Sequence, residues 1–169
     1  MDDDHVGLPA GLVKGDATRV ITRIIVHQSA SRWGDVATIR EWHVARGFSD
    51  IGYHFVICNG HRDSSAVYHE RDDGLIQSGR PETLAGAHAK GNNDDSIGIC
   101  LIGTGRYFPR WQYTSLLWLM QGLHAVYPAI GLDGVIGHYE VDPVNKPDCP
   151  GFDMELVRAA LALLPRKTT

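Results

Sequence analysis

Two histidines and a cysteine stand out by where they sit. His27 closes the apolar run VITRIIVH over residues 20–27. His138 ends a second short apolar stretch that begins at Val135, and polar Tyr139 and Glu140 follow it. Cys149 lies in Lys146-Pro-Asp-Cys-Pro-Gly, where flanking prolines stiffen the backbone. Strand ends and the loops beyond them are where α/β proteins place ligands and chemistry. Two imidazoles and a thiolate suit a zinc ion, and three protein ligands leave a fourth position for water. An open position of that kind marks a catalytic site rather than a structural one. The spacing alone leaves the matter open, because no short H-x-x-x-H pattern is present. A strand-end histidine is more often hydrogen-bonded at the rim of a core, and a lone cysteine is more often a small buried residue.

The elements that would position these residues follow from local pattern. Val20–His27 is β-branched and apolar, which predicts a buried strand. Asp35 can cap a helix running to Arg46, with Gly47 as its stop. Tyr53–Cys58 reads as a second strand, and Asn59–Gly60 is a turn signal. Ala66–Tyr68 and Gly74–Gln77 are candidate short strands within a polar region. Residues 80–95 read as a long loop, Ser96–Ile102 as a central strand, and Trp111–Tyr127 as a helix with Leu116, Met120, Leu123 and Tyr127 at helical spacing. Residues 140–151 hold three prolines and must be irregular. A last helix starts at Asp153 and closes before Pro165. Strands interspersed with helices predict one α/β domain.

Composition narrows the classes. The chain has 169 residues, 43% of them hydrophobic, enough for one full core. A formal net charge of −4 without a long Lys/Arg run argues against binding nucleic acid by phosphate neutralisation. No stretch of about 18 apolar residues is present, so no membrane span is expected. Three cysteines cannot all pair within one chain, which favours synthesis in a reducing compartment. The opening MDDDHVGLPAGLVKGD lacks a basic start followed by an apolar run, so no standard signal peptide is expected.

Five segments then occur in order: IIVHQSAS, IREWHVARGFSDIGYHFVI, GAHAKGNNDDSIGICLIG, GHYEVDP and KPDCPGFD. Together they resemble the N-acetylmuramoyl-L-alanine amidases of the bacteriophage T7 lysozyme type, whose wider relatives are the peptidoglycan recognition proteins. The resemblance runs from Ile21 to the final helix. It implies a single α/β domain over residues 19–165, after a lead-in over 1–18 and before a tail over 166–169. Its fold would be a central mixed sheet with helices on both sides and a surface groove floored by zinc. His27, His138 and Cys149 match the three zinc ligands. Tyr53 matches a tyrosine beside the metal that cleavage needs, Lys146 a catalytic lysine, and His88 a histidine near the substrate groove.

The implied reaction is hydrolysis of the amide joining N-acetylmuramic acid to L-alanine in peptidoglycan. The implied setting is a phage or prophage endolysin, made in the bacterial host cytoplasm and acting on the wall, with peptidoglycan as its partner and a monomeric state. Two alternatives are a non-catalytic recognition or regulatory module and a cytoplasmic muropeptide-recycling amidase. Related recognition modules lack the cysteine ligand, and recycling enzymes of the related type use an aspartate in its place, so Cys149 favours the lysin even though Asp148 is adjacent. His43, His54, Cys58 and Cys100 read as structural, Trp111 and Trp118 as core or helix face, and Arg32 and Trp33 as candidates for the groove wall. The segment 59–73 is longer than the family's usual turn. It carries His61 and His69 among several acids, and could form a hairpin at the groove edge or hold a second metal.

Overall fold

The computed structural model describes residues 19–165; the expected lead-in and tail lie outside the described residues. The apolar runs form the inner strands. β1 spans Arg23–Gln28, β2 Phe55–His61 and β4 Ser96–Leu101. Every residue of β4 is buried, as expected of a strand covered on both faces. β3 (Tyr68–Ser78) and β5 (Val135–Gly137) complete a five-stranded sheet in the order β3-β2-β4-β1-β5. β1 runs parallel to β4 and β5, β2 parallel to β4, and only β2 with β3 is antiparallel, so the sheet is mixed.

Side-chain alternation along these strands makes two unlike faces. Ile24, Val26, Phe55, Ile57, Ile97, Ile99 and Leu101 point to one face. There they pack against Leu116, Leu119, Met120 and Leu123 of α2 (Arg110–Val126) and Val157 and Leu161 of α4 (Met154–Leu163). The opposite face carries Val56, Cys100 and Ile102 in a smaller cluster with Ile39 of α1 (Val36–Ala45). His27, one residue on from Val26, belongs to this thinly covered face. The family-like expectation of a central mixed sheet with helices on both sides therefore holds.

Local signals account for the starts of α1 and α4. The Asp35 carboxylate accepts the Thr38 backbone N–H at 2.9 Å and starts α1. The Asp153 carboxylate accepts from Glu155 N at 2.9 Å and starts α4. Each satisfies an amide that the first helical turn leaves without a partner.

Three expectations need correction. Asn59–Gly60 is not the hairpin turn: β2 continues to His61, and the β2–β3 register shifts around these residues. Gly60, at φ +81°, sits where a Cβ would meet the Tyr68 ring at 2.4 Å, so it forms a bulge that only glycine fits. The two short strands expected around Tyr68 and Gly74 are one eleven-residue strand, β3, whose alternating exposure is that of a sheet edge. His138 opens a one-turn helix, α3 (His138–Val141), directly after β5, rather than ending the strand itself.

Candidate active site

Parallel pairing brings the first two candidate residues together. Val26 in β1 is level with Gly137 in β5, so His27 and His138 each lie one residue beyond that register. Their ring centroids are 4.4 Å apart. Cys149 arrives from the loop after α3, tied at its backbone by Tyr139 N–H donating to Cys149 O at 2.8 Å. Gln28 pins the same loop twice. Its side-chain amide donates to Asp148 O at 2.7 Å, and its backbone N–H points at Cys149 Sγ at 3.4 Å. Cys149 Sγ lies 4.0 Å from His27 Nδ1. One ligand atom from each of His27, His138 and Cys149 falls within 4.8 Å of the others, and among the described residues this is the one group of three or more His, Cys, Asp or Glu side chains so arranged. The three could hold a metal ion.

Their electrostatics fit that use. Burial pushes the His27 pKa well below its ordinary value, helped by His88, His138 and Lys146, so the ring is a neutral donor at pH 7. His138 is lowered by burial and by Lys146, against the opposing pull of Asp142. Burial raises the Cys149 thiol, while the Gln28 N–H and the Lys146 ammonium favour its thiolate. A cation among these groups would draw the proton from the sulfur.

The remaining candidates gather around this cluster. Tyr53 sits just before β2 with its ring 5.0 Å from His27. Burial first, then the nearby cysteines, holds its hydroxyl protonated far above neutral pH. Lys146 is exposed on the α3–α4 loop and lines the same groove. His88 comes from the loop before β4, is 8% exposed, and contacts His27 Nε2 through its Nδ1 at 3.0 Å. The groove has a volume of 460 Å³.

Groove residues that sequence reasoning missed are Arg46, Phe48, Lys90 and Asp142. None carries a local signal. Phe48 reaches the site because the chain reverses at Gly47 (φ +90°) and stacks its ring on His43 at 5.0 Å. His43 lines the groove too, yet its Nδ1 accepts from Gly52 N–H at 2.9 Å, which supports the structural reading. His54 is structural as expected: Nδ1 accepts from Gly98 N–H at 2.9 Å, and Nε2 faces Leu84 O at 3.1 Å. Cys58 and Cys100 are core residues, 4% and 0% exposed. Trp118 packs on the main core, whereas Trp111 is 44% exposed.

Arg32 and Trp33 do not line the groove; Trp33 packs on Trp42 with centroids 5.2 Å apart, and Arg32 O accepts from Asn59. Nor does any residue of 59–73 line it, so the expected hairpin exists but stands away from the groove. His61 and His69 join no metal-type cluster among the described residues.

Comparison with known proteins agrees with this geometry. The family model described as N-acetylmuramoyl-L-alanine amidase matches residues 17–152. The endolysin of Escherichia phage T7 is 37% identical over 142 residues, covering 78% of this chain and 82% of the phage protein. The solved N-acetylmuramoyl-L-alanine amidase LysC of Clostridium intestinale superposes with a TM-score of 0.69 at 30% identity, over 85% of this chain and 87% of that one. Drosophila peptidoglycan-recognition protein LB superposes with a TM-score of 0.63 at 27% identity, over 89% of this chain and 85% of that one. With the matched span running from before β1 through the Cys149 loop, the chain belongs to the N-acetylmuramoyl-L-alanine amidase family.

Proposed function

We propose that this amidase is a zinc-dependent phage or prophage lysin in which His27, His138 and Cys149 hold the metal and Tyr53 and Lys146 serve the reaction. Its substrate is peptidoglycan and its bond the amide between N-acetylmuramic acid and L-alanine. The observation that carries the metal reading is the convergence of two imidazole nitrogens and one thiol sulfur within 4.8 Å on the wall of an open groove. Nitrogen and sulfur donors in that number suit zinc with one position left open. Zinc, when bound, would polarise the scissile carbonyl and acidify a water molecule.

The chain's own groups supply the rest. Tyr53 keeps its proton at neutral pH, so its hydroxyl can donate to the carbonyl oxygen as negative charge grows there. The Lys146 ammonium, on an exposed loop at the groove, can donate to the same charge or return a proton to the leaving amine. Cys149, rather than its neighbour Asp148, is the fitting third ligand. Its sulfur faces His27, while Asp148 is exposed and engages Gln28 only through its backbone carbonyl.

The setting follows from the relatives named endolysin in phages T7 and T3. Synthesis in the host cytoplasm, action at the wall and a monomeric state belong to the same reading. A net charge of −4 gives no support to a nucleic-acid partner. No described helix is long and apolar enough to cross a membrane.

Paired variants test the ligand set. Cys149→Ala is expected to lose both stoichiometric zinc and cleavage, while Asp148→Ala keeps both. The reverse pattern, read by metal analysis and wall digestion, overturns the assignment.

A further inference from the structure

The hydrogen atoms of the buried chain behind His27 can be counted one by one. Ser96 at the start of β4 is fully buried, and its hydroxyl donates its single hydrogen to Asn92 O. The same oxygen lies 3.4 Å from His88 Nε2, so it can only accept there, and His88 Nε2 must carry the proton. A neutral imidazole holds one N–H, which leaves His88 Nδ1 as an acceptor. That nitrogen is 3.0 Å from His27 Nε2, so His27 donates through Nε2. His27 Nδ1 is then left with a bare lone pair, and it is Nδ1 that faces the Cys149 sulfur.

The chain is anchored and caged. His88 N–H and Ala89 N–H both donate to Asn93 Oδ1, at 2.9 and 3.0 Å, which fixes the loop that carries the ring. A Cβ on Gly86 would meet His88 Cδ2 at 2.3 Å, and one on Gly98 would meet the same atom at 2.4 Å. Both glycines are therefore needed for the ring to sit where it does. With Nδ1 engaged by His27 and Nε2 by Ser96, the His88 ring has no nitrogen left over for substrate.

We propose that His88, backed by Ser96, is a positioning residue that locks His27 in the tautomer and orientation able to ligate the metal through Nδ1, and that its role is not primarily contact with substrate. The proposal rests on the metal reading of His27, His138 and Cys149. A ligating histidine depends on the hydrogen bond made by its other nitrogen, and loss of such a partner typically lowers metal affinity or activity about 10- to 100-fold.

The test uses three variants of the full chain. His88→Leu removes the acceptor, His88→Asn keeps an amide oxygen near the Nδ1 position, and Ser96→Ala cuts the outer link. Zinc affinity is measured by competition with a chromogenic chelator, the ligand field by the visible spectrum of the cobalt-loaded protein, and folding by circular dichroism. His88→Leu is expected to bind zinc about 10- to 100-fold more weakly with an altered cobalt spectrum. His88→Asn should recover most of that affinity, and Ser96→Ala should fall between His88→Leu and the wild type. A folded His88→Leu with wild-type zinc affinity and spectrum, losing only KM for wall substrate, overturns the proposal in favour of substrate contact. If His88→Leu fails to fold, wild-type affinity and spectrum in Ser96→Ala overturn it instead. A wild-type protein that takes no zinc sinks the metal reading itself and the relay with it, whereas wild-type binding with unaffected variants sinks the relay alone.

Discussion

Gly98→Ala places one methyl group directly under the His88 ring. The new Cβ would lie 2.4 Å from Cδ2, 2.5 Å from Cγ and 2.8 Å from Nε2 of His88, where ordinary contact starts at 3.4 Å. The ring must retreat by about 1 Å, the difference between 3.4 and 2.4. Gly98 lies within central β4, so its backbone has little freedom to yield. Backbone strain is not part of the effect, since Gly98 is absent from the residues at positive φ. A retreat of that size cannot preserve the 3.0 Å contact to His27 Nε2: toward His27 it is overcompressed, away from it the bond breaks. Overpacking of a tight site costs about 1–3 kcal/mol, and a lost hydrogen bond adds about 1 kcal/mol. The variant should thus unfold about 2–4 kcal/mol more easily in urea. It should also bind zinc more weakly, although Gly98 has no side chain to offer the metal. Equilibrium unfolding and chelator competition on one preparation read both effects. A variant that matches wild type in both would refute the tight cage and the reasoning built on it.

Two further outcomes follow from buried polar groups elsewhere. Burial lowers the His54 pKa from 6.5 to about 4. Above pH 6.5 neither folded nor unfolded chain protonates this ring, so its full contribution is present; between 6.5 and about 4 the unfolded chain alone takes the proton. Stability then falls as pH falls, by about 1.4 kcal/mol per pH unit and about 3 kcal/mol in all. His54→Gln should flatten the decline of the urea midpoint between pH 6.5 and pH 4.5, and an unchanged slope would contradict the assigned neutral state. Gln112 in α2 is fully buried and donates through Nε2 to both Ile57 O and Ile102 O at 2.9 Å. Gln112→Leu removes both donations, but Ile57 O keeps the Ile102 N–H at 2.9 Å, so the loss falls mainly on Ile102 O and should cost about 1–3 kcal/mol in urea unfolding; a loss below about 0.5 kcal/mol would mean the helix-to-sheet bridge is not needed.

The features legible in the sequence were those written in local pattern. Asp35 and Asp153 announce their helices because a cap acts within three residues. The inner strands were visible because burial on both faces demands continuous apolar runs. In sequence β3 reads as two pieces because a sheet edge exposes alternate side chains, and Glu70, Arg71 and Asp73 look like loop residues when taken singly. The Asn59–Gly60 pair gives the same local signal for a turn as for a bulge, and only the Tyr68 ring packed against Gly60 decides between them. His27, His138 and Cys149 could be singled out by their flanks, yet nothing local states that β1 and β5 are neighbours. The family resemblance carried that step. Arg46, Phe48 and the tie between His88 and Ser96 were out of reach because they depend on chain reversals and contacts that leave no periodic trace.

The most direct test of the central claim is digestion of purified peptidoglycan by the purified chain, with and without a chelator, followed by mass analysis of the fragments. The expected result is release of intact stem peptides beginning at L-alanine, abolished by chelation and restored by added zinc. Cleavage within the glycan strand, stem-peptide release that survives complete metal removal, or zinc bound with no bond cut would contradict it.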